Sequence, residues 1–181
     1  MRRVPAACLR TVAVSALERA ATTRLPTPHG EFQLIAYRDP VTGQEPLAFV
    51  SGRPPAAGAH VRVQVECPVA DTLRSTRCDC AALLAHGLSA TSAAGGVLLY
   101  LRAAPGTLLD RLTHYARQDT SGGPSACSQT PRGYEVPAAI LRELGLDDVV
   151  LHSSDPRATV ALEAHEVRVT RQKPVTLPSG R

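Results

Sequence analysis

The run HVRVQVECPVADTLRSTRCDC, residues 60–80, carries more information than any other part of this chain. In its first half Val61, Val63 and Val65 alternate with Arg62, Gln64 and Glu66, the two-residue period of a β-strand. In its second half Cys67, Cys78 and Cys80 are spaced C-x10-C-x-C. Thiolates are soft ligands that suit zinc, and a closed structural site takes four Cys or His ligands. A site with three ligands keeps a position open for water, whose pKa falls to about 7, and that is the arrangement for metal-assisted hydrolysis. On spacing alone, other readings stay open. A fourth ligand from His60, His86 or His114 would make the site structural, or the group is two buried structural cysteines and a coincidental third. Cys8 and Cys127 match no motif and read as incidental. Five cysteines is an odd number, which argues against a disulfide framework.

Outward from this run, LPTPHGEFQLIAYRDPVTGQEPLAFVSG (25–52) reads as a β-hairpin. Phe32, Leu34 and Ala36 alternate with polar neighbours, and a Pro-Val-Thr-Gly turn leads to Leu47, Phe49 and Val50. Residues 53–59 read as a loop. Residues 80–94 read as a helix closed by Gly95-Gly96, and VLLYLR (97–102) as a short strand buried on both faces. TLLDRLTHYARQD (107–119) places Leu108, Leu109, Leu112 and Tyr115 at helical spacing. TSGGPSACSQTPRG (120–133) is a loop by composition. A helix over 136–146 starts with Pro137 in its first turn; a strand over 148–154, a short helix over 155–165 and an edge strand over 166–175 follow. The Ala-rich opening, 1–23, reads as a helix or a loose lead-in. These elements give a lead-in over 1–24, a single α+β domain over 25–175 with one mixed sheet, and a tail over 176–181.

Length and composition narrow the function. At 181 residues the chain has room for one domain. Hydrophobic residues at 44% and charged residues at 20% suit a globular protein, and no apolar run reaches the roughly 18–20 residues of a membrane span. The opening has no true hydrophobic stretch before Glu18, so no signal peptide is expected and the cytoplasm is the default location. The net charge of +4 comes from scattered Arg residues, and aromatics are only 3%, which argues against a nucleic-acid surface. A mild basic surplus fits an anionic small molecule.

The motif region, VRVQVECPVADTLRSTRCDC, resembles GTP cyclohydrolase II, whose zinc motif reads S-E-C, ten residues, then C-D-C after an R-V-H strand. LPTPHGEF is similar to the family's L-P-T-x-x-G-x-F, and GGVLLYLR (95–102) to the strand after its first helix. LLDRLTHYARQD (108–119) resembles the helix bearing Y-A-x-Q-D, and LRELGLDDVVLHSSDPRATVAL (141–162) the closing segment. The resemblance runs collinearly from about residue 25 to 174 and implies that family's fold. It also implies a zinc-dependent hydrolase in which zinc-bound water attacks the guanine ring. Formate leaves, and pyrophosphate departs with help from magnesium. The resemblance places Cys67, Cys78 and Cys80 as zinc ligands and Arg62 and Glu66 in the nucleotide-binding strand. It puts Tyr115 beside the ring being opened, Arg132 at the α-phosphate, and Ser153 where a phosphate-binding Thr is usual. It further implies a homodimer and a riboflavin-like or specialised-metabolite pathway.

The sequence departs from the family pattern at defined places. The binding loop Q-E-G-R-G-I-G is replaced by AAPGT (103–107), and the family's catalytic Asp by Thr130. Leu83 stands for a Gln and Ala158 for a phosphate-binding Lys. Removing one buried charged group from a phosphate costs about 2–5 kcal/mol, so GTP binding should be weakened by several powers of ten. Thr cannot act as a carboxylate base. Two other readings therefore accompany the zinc cyclohydrolase: ring opening of a uracil nucleotide, and a non-catalytic zinc-binding partner of a true cyclohydrolase.

Overall fold

The computed structural model describes residues 17–104, 106–122, 127 and 131–177. Residues 1–16 of the expected lead-in, Cys8 among them, lie outside the described residues, as do Thr130 and residues 178–181 of the expected tail. Seven strands form one sheet in the order β1-β2-β3-β5-β4-β6-β7. In chain order these are β1 Glu18–Thr27, β2 Gly30–Arg38, β3 Leu47–Val50, β4 Ala57–Val65, β5 Gly96–Leu101, β6 Asp148–His152 and β7 Arg168–Lys173. From β1 to β5 the neighbours are antiparallel, whereas β4 runs parallel to both β5 and β6, and β6 to β7. The helices are α1 Cys80–Ala94, α2 Thr107–Ser121, α3 Glu135–Glu143 and α4 Arg157–Glu163, and one turn of π-helix covers Pro68–Thr72. The fold is α+β with a single mixed sheet, as the sequence predicts.

The sequence pattern accounts for most of these elements. The expected hairpin is β2–β3, and its turn is held by Asp39, whose carboxylate accepts from the Val41 and Thr42 N–H groups and the Thr42 hydroxyl. Gly95 ends α1 in a left-handed conformation with φ +66°, a region open to glycine at little steric cost. β5 lies between β3 and β4 and is buried on both faces, as its unbroken apolar run requires. β7 is an edge strand. At the other edge the structure differs from the sequence reading. Residues 18–23, expected as a helix or lead-in, belong to β1, which pairs antiparallel with β2 along its length. β1 is exposed over most of its length, so no alternation of apolar residues marks it. Backbone pairing to β2, not burial, makes it a strand.

The central position of β4 also goes beyond its alternation. Val61 and Val63 face a core with Ile35, Leu99, Ile140, Leu141 and Leu162, on the side covered by α3 and α4. The opposite face carries Arg62 and Gln64, which are buried rather than solvated because α1 packs over them. Gly87 makes this approach possible: a Cβ there would stand 2.9 Å from Arg62 Cγ and 2.8 Å from Leu98 Cδ1. Gly96 is tighter still, since a Cβ would come within 2.1 Å of the His60 carbonyl oxygen on the paired strand. That neighbour is backbone at the centre of the sheet and has nowhere to go. Gly96→Ala is expected to destabilise the fold by about 3 kcal/mol, read from the urea midpoint. An unchanged midpoint would show that β4 and β5 do not meet in this register.

α2 is the least covered helix. Leu108, Leu109 and Leu112 are 41%, 70% and 43% exposed, and Tyr115 is its buried residue. No helix among the described residues is long and apolar enough to cross a membrane.

Candidate metal centre and cleft

The chain leaves the C-terminal end of β4 between two parallel neighbours, the position where open sheets of this kind form a crevice for ligands. Cys67 follows β4 directly, and the π-helical turn folds back beneath it. The Cys67 N–H donates to Asp71 Oδ2 at 2.8 Å, and the Tyr100 hydroxyl donates to the same oxygen at 2.8 Å. Cys78 and Cys80 arrive with the start of α1. Cys67 and Cys80 are buried, Cys78 partly so.

These three thiols, the set that the resemblance implies, are joined by a fourth. The Cys67 Sγ lies 3.6 Å from Cys127 Sγ and 3.9 Å from Cys78 Sγ. All four sulfurs fall within 4.8 Å of one another. The reading of Cys127 as incidental is therefore corrected. The three histidines weighed as a fourth ligand are not in the cluster. Cys127 escapes a motif search because it comes sixty residues after Cys67, from a loop with no periodic signal.

The donor set fits zinc. With Zn–S at about 2.3 Å, the sulfurs of a tetrahedral site stand about 3.8 Å apart, close to the two separations above. The same distances are far too long for a disulfide. Without a cation the thiols share protons unevenly. Burial, then the Cys78 thiol, push Cys127 up to about 12. Cys80 is raised by burial and by its Cys78 and Cys127 neighbours, while for Cys78 burial is outweighed by hydrogen bonds from the Cys80 backbone and the other thiols, which lower it. A divalent cation removes this conflict, because every thiol can then ionise as a ligand.

Tyr115 packs against the cluster together with Val69 and Ala70. Its hydroxyl is buried and has no hydrogen-bond partner among the described residues, and burial raises its pKa, with the Cys127 and Cys78 thiols adding to the effect. The Arg77 guanidinium lies over its ring, 4.7 Å from the centroid, and also pairs with Asp119.

On the far side of the α1 N-terminus is a cleft of about 140 Å³ lined by Arg62, Leu83, Tyr134, Ser153 and Asp155 among others. The structure thus brings Arg62 and Ser153 to one cavity. Arg62 is 6% exposed and donates to Gln64 Oε1 at 3.0 Å and to the His152 carbonyl at 3.0 Å. Both partners are neutral, no ion pair engages it among the described residues, and burial lowers its pKa. Gln64 reaches on to the Cys80 carbonyl at 3.4 Å, so one hydrogen-bonded chain links the cleft to the thiols. Glu66 lies apart from the cleft. Its carboxylate accepts from Arg102 Nε at 3.0 Å and from the Ala103 N–H at 2.7 Å, which anchors the start of the AAPGT segment. Arg132 is exposed, two residues before Tyr134 of the cleft wall. Leu83 puts an apolar wall where the family has an amide, and Ala158 is wholly buried, so no side chain from that position reaches a phosphate.

Behind Arg62, His152 Nε2 and His60 Nδ1 are 3.0 Å apart, with His86 6.3 Å away ring to ring. Burial, then the charges of His60, Lys173, His86 and Arg62, lower the His152 pKa to about 4. Between that value and the unfolded value near 6.5 the unfolded chain binds more protons, so stability falls as pH drops through this window. The loss should reach about 2–3 kcal/mol by pH 4. It is measured as the difference in urea midpoint between the native chain and His152→Gln at pH 7 and at pH 4.5. Parallel curves for the two proteins would sink the assignment.

Comparison with known proteins follows the same outline. A family model described as GTP cyclohydrolase II matches residues 18–174, from the first residue of β1 to just beyond β7. GTP cyclohydrolase-2 of Streptomyces coelicolor is 37% identical over 172 residues, which cover 90% of this chain and 78% of that protein. Riboflavin biosynthesis protein RibBA of Thermotoga maritima is 33% identical over 165 residues, covering 87% of this chain and 42% of the relative, so the chain spans under half of that protein. A solved structure of RibBX, a two domain 3,4-dihydroxy-2-butanone 4-phosphate synthase from A. baumannii, aligns with a TM-score of 0.49 at 27% identity, covering 89% of this chain and 40% of that one. With a family model matched over most of its length, and relatives above 30% identity across nearly all of it, this chain belongs to the GTP cyclohydrolase II family.

Proposed function

We propose that this protein is a zinc-dependent hydrolase that opens the heterocyclic ring of a guanine nucleotide with release of formate, in a riboflavin-like or specialised pathway. The observation that carries this reading is the junction of two sites at the α1 N-terminus: a thiol cluster suited to zinc, and a cleft whose buried Arg62 has no anionic partner among the described residues. Zinc bound by Cys67, Cys78 and Cys80 supplies Lewis acidity and makes hydroxide available at neutral pH. Arg62 and Ser153 take an oxyanion of the phosphate, Arg62 as a charged donor in a water-poor cleft where such a contact is strong. The Tyr115 hydroxyl, buried beside the Cys78 and Cys127 thiols and raised in pKa chiefly by burial, stays protonated and donates to the ring or to the developing charge upon it. Arg132, exposed two residues before Tyr134 of the cleft wall, adds a second cation for the phosphates, and Glu66 acts by fixing the loop that follows β5. Magnesium on the phosphates and a homodimeric assembly belong to the same reading.

The test is formate release, followed together with the ultraviolet spectrum. Zinc-loaded protein with magnesium is offered GTP, GDP, GMP and the uridine nucleotides one at a time. Formate with loss of the purine spectrum is the expected result, and the best phosphate count would show what the AAPGT segment accepts. Spectral loss with a uridine nucleotide alone would move the target to a pyrimidine ring. Silence across the panel, with one zinc per chain, would overturn the catalytic reading. It would favour the second one, a non-catalytic zinc-binding member of the family, for which the fourth thiol speaks.

A further inference from the structure

Three cysteines are enough to hold a catalytic zinc, and the fourth thiol is therefore in need of a role. We propose that Cys127 is itself a metal ligand that holds the coordination position water needs, so that the nucleotide-free protein carries a closed four-thiolate centre. This inference rests on the zinc reading above and concerns the state of that same site.

The first support is distance. Cys127 Sγ stands as close to Cys67 Sγ, at 3.6 Å, as Cys78 Sγ does, at 3.9 Å, and it shares the common 4.8 Å envelope of the other three. A bystander thiol in the outer shell would lie farther from one ligand than the ligands lie from each other. Charge gives the second support. Four thiolates around a divalent cation leave a net charge of minus two, and Arg111 Nη1 donates to Cys127 Sγ at 3.0 Å, which is where an excess thiolate needs a cationic donor. The third lies in the surroundings. Cys127 packs with Cys67, Cys80, Val69, Ala70 and Tyr115 in an apolar cluster, which keeps water from the side that its sulfur covers.

A zinc surrounded by four sulfurs has no position for water and acts as a structural centre. Ring opening in this protein then requires Cys127 to give way. Cys127 itself lies in neither a helix nor a strand. Cys67 and Cys80, by contrast, are fixed by β4 and α1.

Zinc-edge X-ray absorption on the full-length, zinc-loaded protein counts the sulfurs directly. Four sulfurs at about 2.3 Å are expected in the native chain. Cys127→Ser and Cys127→Ala should keep one zinc per chain but show three sulfurs and one lighter ligand. They should also yield the metal to a chromogenic chelator at least about tenfold faster. Three sulfurs plus a lighter atom in the native protein would overturn the inference and leave the proposed hydrolase site standing. A native protein that binds no zinc would overturn the zinc reading and the inference with it. Should the variants fail to fold, the sulfur count of the native protein alone decides between these outcomes.

Discussion

Replacing Cys67 by serine is expected to weaken zinc binding by at least about a hundredfold, and ring opening by at least about a thousandfold. Cys67 is wholly buried, sits at the end of the central strand and touches both Cys78 and Cys127 through sulfur. Serine keeps the size and the backbone N–H bond to Asp71, so the metal-free fold should lose little. What goes is the soft, ionisable ligand. A zinc ion that prefers the folded chain to the unfolded one adds its binding energy to stability by mass action. Structural zinc contributes on the order of 10 kcal/mol in small domains, and here some fraction of that should show as a chelator-sensitive rise in the urea midpoint. The native midpoint should fall on adding a chelator, whereas the midpoint of Cys67→Ser should be lower already and should fall by less. Native zinc affinity in the variant, or an equal chelator response in both proteins, would show that Cys67 is a core residue and not a metal ligand.

Arg62→Met is the second large effect. The guanidinium is buried, its partners are the neutral Gln64 amide and a backbone carbonyl, and it lines the cleft that also holds Ser153. A buried cation of this kind is poised for an anion. Removing it should weaken nucleotide binding by about 2–5 kcal/mol, roughly thirtyfold to several-thousandfold in Kd by calorimetry. Stability gives an independent readout. Loss of a hydrogen-bond donor for Gln64 costs about 1–3 kcal/mol, while relief from burying an unpaired charge acts in the opposite sense. The two should nearly cancel, leaving the urea midpoint of the nucleotide-free chain within about 1 kcal/mol of the native one. A variant that binds nucleotide normally but unfolds early would make Arg62 a structural residue. Zinc content should be unchanged, which separates this site from the cysteine cluster.

Much of this architecture is local in the chain and was therefore legible there. The hairpin turn at Asp39–Gly43, the start of α1 at Cys80 and its glycine stop, and the buried run of β5 each follow from residues within a few positions of one another. The C-x10-C-x-C spacing belongs to the same class, since one strand end, one π-helical turn and one helix start bring those three thiols together. The departures at AAPGT, Thr130, Leu83 and Ala158 were marked by the resemblance to the family, whose pattern has polar groups at those places.

What the sequence left open depends on neighbours distant in the chain. β1 shows no strand pattern because it buries almost nothing; pairing with β2 alone makes it a strand. The face of β4 that carries Arg62 and Gln64 reads as solvent-facing, and only α1 lying across it, close enough to need Gly87, turns Arg62 into a buried cation. Cys127 is the sharpest case. Sixty residues and no periodicity separate it from Cys67, and no spacing rule spans such a gap. Spacing offered a meeting of three thiols at the end of β4 as one reading among several, and the resemblance of the surrounding run to the family favoured it. Whether a fourth joined them, closing the site or leaving it open to water, was decided by packing between segments that the sequence keeps far apart.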